Sequence, residues 1–73
     1  MDPWEMLEAL EDAMWYIDEA MDALKGVDAD AVAELADTRG RIATKTERQR
    51  ARVRELEEQD EAALLQEYER GLL

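Results

Sequence analysis

Glu8-x-x-Glu11 and Glu34-x-x-Asp37 each set two carboxylates three residues apart, the spacing that puts both on one side of a helix. Two such pairs facing each other could hold magnesium among oxygen ligands. Asp28-x-Asp30 opens like a calcium loop. Val32 and Ala33, however, stand where that loop needs a third oxygen ligand and a glycine. The chain has no histidine and no cysteine, so the usual zinc, copper and haem ligands and the familiar nucleophile–base pairs are missing. No glycine-rich phosphate loop is present either. Carboxylates alone can do acid–base work, but a small helical chain is not expected to enclose a deep pocket.

The Glu8/Glu11 and Glu34/Asp37 pairs resemble the ExxE and ExxD motifs of the all-α nucleotide pyrophosphohydrolases. The resemblance implies magnesium held against phosphates by those four residues. It covers four positions of a chain with 20 acidic residues, and that family uses more helices than 73 residues supply. The sequence is therefore read as a non-enzyme, with no cofactor and no metal.

The elements that must carry these residues are helical. Charged residues make up 40% and hydrophobic ones 47%, with three glycines and one proline. Asp2 can cap a first helix, with Pro3 in its first position and Glu5 three residues after the cap. Lys25-Gly26 is a stop signal, and Asp28 caps again, with Val27 and Val32 spaced as a staple. These signals predict helix 3–25, a turn at 26–28 and helix 29–70. Gly40 and the Thr44-x-x-Glu47 box offer the alternative of a break near 40 and a three-helix bundle. Nothing resembles a secretion signal or a membrane span, and the expected setting is soluble and cytoplasmic.

In the first helix Leu7, Leu10, Met14, Ile17, Met21 and Leu24 recur at alternating steps of three and four, positions a and d of a heptad. A second seam at g and c runs Met6, Ala9, Ala13, Tyr16, Ala20, Ala23. One helix with two seams predicts two neighbours. The expected architecture is all-α: an antiparallel hairpin with a long second helix, dimerising into a four-helix bundle through Ala9, Ala13, Tyr16 and Ala20. In the second helix Val32, Leu35, Ile42, Val53 and Leu56 form a thinner seam, interrupted by Arg39, Thr46 and Gln49. Beyond Asp60 the apolar phase shifts to Leu64, Leu65, Tyr68, Leu72 and Leu73. A continuous helix would carry this group past the end of the first by nearly 30 Å, at about 1.5 Å per residue.

Net charge is −11, yet residues 39–54 carry seven basic groups against Glu47. Arg41, Lys45, Arg48 and Arg52 line one helical stripe. Phosphate contact is one reading. The other, preferred because acidic segments flank the stripe on both sides, is charge pairing within the hairpin or between subunits. A turn at 26–28 sets level residues whose numbers add to about 54. It places Arg50 beside Trp4 for a cation–π contact. Trp4, Glu8, Glu11 and Trp15 share a stripe suited to anchoring a protein partner.

The chain thus reads as a small acidic helical protein–protein interaction or regulatory module, a homodimer with a further protein partner and no membrane. Two alternatives stand beside it. One is an acidic mimic of nucleic acid that inhibits a nucleic-acid-binding protein. The other is a nucleic-acid-binding regulator using 39–54, disfavoured by the overall charge.

Overall fold

The computed structural model describes residues 1–72. It comprises two antiparallel helices, α1 (Pro3–Leu24) and α2 (Ala29–Leu72). Asp2 caps α1, its carboxylate accepting from the Glu5 amide at 2.8 Å. Asp28 caps α2 in the same way, accepting from Ala31 at 3.1 Å. Between them Gly26 takes φ 81°, a conformation that side chains with a Cβ resist. The Val27 and Asp28 amides then donate to the Leu24 carbonyl, closing the first helix. The Val27 side chain stays exposed, so the staple to Val32 does not close over it.

α2 runs unbroken through Gly40, so the three-helix alternative is not the arrangement. Thr44 does not start a new helix. Its hydroxyl donates back to the Gly40 carbonyl at 3.2 Å, a bond made from inside a helix.

The a and d residues of α1 are all half-buried against α2. On α2 the steps of three and four never lapse: 32, 35, 39, 42, 46, 49, 53 and 56 all face α1. Two of the three polar residues taken as interruptions, Thr46 and Gln49, are the centre of the core, while Arg39 stays half-exposed at its edge. Only Thr46 (0% exposed), Val53 (6%) and Gln49 (7%) are buried among the described residues. The Thr46 hydroxyl donates to the Ile42 carbonyl at 2.8 Å and lies 4.0 Å from the Met14 sulfur. The Gln49 amide donates across the interface to the Pro3 carbonyl at 2.8 Å. Each buried polar atom among the described residues therefore has a partner, which is what keeps such a layer from being costly.

The register also differs from a backbone count. Asp18 with Arg39, Met14 with Thr46, Glu11 with Arg50 and Trp4 with Glu57 join numbers that add up to 57, 60, 61 and 61. Side chains lean toward the N-terminus of their own helix. In an antiparallel pair the two lean in opposite directions along the axis. The α2 partner consequently sits further from the turn than its backbone level suggests. Arg50 thus meets Glu11, not Trp4, and the cation–π contact is not formed.

Trp4, at the start of α1, reaches Glu57 through its side chain, and residues 58–71 are all exposed. Residues 58–72 project beyond α1 as a bare helix, roughly 22 Å at 1.5 Å per residue. The molecule measures 68 × 18 × 15 Å, with a radius of gyration of 19.1 Å, against about 11 Å for a compact chain of this length. No described helix is long and apolar enough to cross a membrane.

Candidate functional site

In an antiparallel pair the e positions of both helices border one face and the g positions the other. The two faces of this hairpin differ in chemistry. On the e face the charges are matched. Arg50 pairs with Glu47 at 2.5 Å and lies 3.9 Å from Glu11, and the Trp4 indole N–H donates to Glu57 at 3.4 Å. Just inside it, Arg39 at an a position makes a two-pronged contact with Asp18, at 2.6 and 3.2 Å. That hydrogen bond, reinforced by the Asp18 charge, raises the guanidinium pKa above its ordinary value, while desolvation opposes the shift.

The g face is unmatched. On α1 it presents Met6, Ala9, Ala13, Tyr16 and Ala20. Met6, Ala9 and Tyr16 are exposed, and Ala13 and Ala20 are half-buried. On α2 the same face presents the whole basic stripe. Arg41 is held by Asp37 within its own helix at 2.7 Å. Among the described residues Lys45, Arg48 and Arg52 make no ion pair, and all three are exposed. An open pocket of about 310 Å³ marks the outer end of this face, where Met6 of α1 and Arg52 of α2 line it together with Met1, Asp2, Pro3 and Gln49.

Charge pairing thus accounts for Arg39, Arg41 and Arg50, and leaves a cationic strip beside an apolar one. Neither the burial of Thr46 and Gln49 nor the split between the faces came from residue type. The unbroken heptad count from Val32 to Leu56 carried the signal for both.

Trp4, Glu8, Glu11 and Trp15 are all exposed along one side of α1, and two of them also reach across to α2. Trp4 and Glu11 are engaged with α2. Glu8 and Trp15 are exposed on the outer side of α1, where Trp15 meets Tyr16 edge-on with centroids 5.1 Å apart. Trp15 is 59% exposed. Glu8, Glu11, Glu34 and Asp37 do not converge either: Glu11 faces Arg50 and Asp37 faces Arg41. Among the described residues no three carboxylates are placed to hold a metal ion.

The other exposed feature is the α2 overhang, where Leu64 (64% exposed), Leu65 (64%) and Tyr68 (67%) open to solvent. The Leu72 side chain and Leu73, read with this group from sequence, lie outside the described residues. No family model matches the chain, and neither a curated protein nor a solved structure matches it.

Proposed function

We propose that this protein is a non-catalytic helical interaction module that works by docking against another protein chain, in the first place as a homodimer. The observation that carries the reading is the surface left open. The chain exposes 6034 Å², about 1,400 Å² more than a compact monomer of its mass. Part of that excess is the Leu64, Leu65 and Tyr68 stripe and the Met6, Ala9, Tyr16 edge. Such patches, rimmed by charge, are the usual mark of a protein interface.

Photo-crosslinking in the native host tests this. A benzophenone side chain in place of Leu65 or Tyr16 should give discrete protein adducts, with the chain itself or with another protein. A folded chain that stays monomeric and uncrosslinked at both positions would refute the reading. Lys45, Arg48 and Arg52, exposed and without an ion pair among the described residues, favour a polyanion as the second reading. Retention of a nucleic-acid duplex as the sole macromolecular ligand would install it instead.

A further inference from the structure

We infer that α2 pairs antiparallel with α2 of a second copy, through the side of the helix that carries Leu64 and Tyr68. Tyr68 of each copy then lies over Ala43 of the other, Leu64 over the stem of Glu47, Glu61 beside Arg50 and Glu57 beside Arg54. The inference rests on the interaction-module reading and names its partner and surface.

The first observation is a second heptad seam on α2. Its e and b positions, from Ala43 to Tyr68, alternate in steps of four and three as a and d positions do. On a helical wheel this seam is turned about 100° from the positions that face α1, so α1 leaves it open. Ala43 and Arg50 are half-buried, and the other six residues are exposed. The seam cannot be covered from within, since α2 is unbroken to Leu72 and does not fold back.

The charges then select direction and register. In a parallel pair each residue meets its own copy, arginine on arginine and glutamate on glutamate. In an antiparallel pair e meets b, in registers one heptad apart. The inferred register joins Arg50 to Glu61 and Arg54 to Glu57. A shift of one heptad one way sets Arg50 against Arg54 and Glu47 against Glu57. A shift the other way sets Glu57 against Glu61. Arg54 and Glu61 are exposed and make no ion pair among the described residues. Each inferred pair therefore engages one charge that the hairpin leaves without a counter-ion. The sizes agree as well: the Tyr68 ring meets a small residue at Ala43, and Leu65, beside the seam, falls between Thr44 and Ala51 of the partner.

Both copies present the same side of α2, so the contact is isologous. The two-fold axis crosses between residues 55 and 56 and sets residues 58–68 of each copy level with 43–53 of the other. Because α1 packs on α2 from Val32 to Leu56, the two α1 helices fall in opposite halves of the assembly, which closes at two copies. The surface in excess of a compact monomer, about 1,400 Å² per copy, exceeds the roughly 800 Å² per partner of a standard stable interface.

The chain has no cysteine, so introduced pairs report position. Ala43→Cys protein mixed with Tyr68→Cys protein and oxidised mildly should give the mixed disulfide ahead of either symmetric one. In sedimentation velocity the unmodified chain should run as a dimer. Arg54→Glu alone and Glu57→Arg alone should each raise the dimer dissociation constant at least tenfold. An equal mixture of the two should restore association, because both crossed contacts are then matched. Glu57→Arg moves the net charge toward zero, so relief of general repulsion would tighten the dimer where the seam requires it to weaken. Both positions are exposed, and unchanged helical circular dichroism confirms folding.

Predominance of a symmetric disulfide, open-ended polymers, or a Glu57→Arg dimer as tight as the parent would each overturn the inference. So would a monomer at every concentration. If that monomer still crosslinks to another protein through residue 65, the interaction reading stands and only the self-pairing falls. If it instead retains a nucleic-acid duplex and crosslinks to no protein, both fall.

Discussion

Thr46 and Gln49 occupy positions that a helical bundle usually fills with leucine. Their hydrogen bonds are local or reach a carbonyl already bonded within its helix, so removing them orphans nothing. Thr46→Val should therefore raise stability, by about 0.5–1 kcal/mol in urea unfolding, because the hydroxyl is desolvated for a modest bond. Gln49→Ala should lower it by about 1–3 kcal/mol, since it loses the cross-helix bond and leaves a void. A Gln49→Ala variant as stable as the parent would show that the polar layer is not part of the core. Arg39 and Asp18 should be coupled: each alanine variant lowers the unfolding midpoint, the pair lowers it less than additively, and 1 M salt shrinks the coupling. The sign of the pH effect follows from the shift. A raised guanidinium pKa gives stability that is complete below the ordinary arginine value and lost only above it. From the arginine side the contact is insensitive to pH over the range in which proteins are handled. At this scale the sequence was hardest to read, because Thr, Gln and Arg look like gaps in an apolar pattern. Their role emerges only when position is counted ahead of residue type.

The two helices were legible through their punctuation: Asp2-Pro3, Gly26 and Asp28 sit at the caps and turn of the hairpin. The aliphatic seam of α1 likewise showed which side meets α2. The register was not legible, because counting backbone levels ignores the lean of the side chains. Two glycines give opposite expectations. Gly40 lies mid-helix with no atom within 4 Å of an added Cβ. Gly40→Ala should then stabilise by about 0.5–1 kcal/mol through helix propensity. Gly26 sits at φ 81°, and Gly26→Ala should destabilise by about 1 kcal/mol or more despite equally open space. Thermal unfolding of both variants checks this, and equal shifts would contradict the turn geometry.

At the scale of the molecule, one rod serves two purposes. Residues 29–57 of α2 pair with α1, and the remainder reaches past it. A chain ending at residue 57 should keep the unfolding midpoint of the monomer, since it loses no contact with α1. It should fail to self-associate in sedimentation. A midpoint that collapses on truncation would mean that the overhang supports the hairpin itself. The sequence showed that the apolar phase shifts beyond Asp60, and that basic residues cluster in 39–54. It did not show that Arg39 and Arg50 find carboxylates on one side of the hairpin while Lys45, Arg48 and Arg52 on the other make no ion pair among the described residues, because that division depends on which helix edges meet.

The unbroken course of α2 has a consequence for solvent access to its backbone. A helical segment of about 15 residues with no packed neighbour is marginal in water, whereas the same helix is braced by α1 up to residue 57. Amide protons should accordingly exchange in two blocks along one continuous ladder. The boundary would fall near Glu57, where neither proline nor glycine marks it. Covering the tip should merge the blocks and slow the fast one, so deuterium uptake would report occupancy of the distal segment residue by residue.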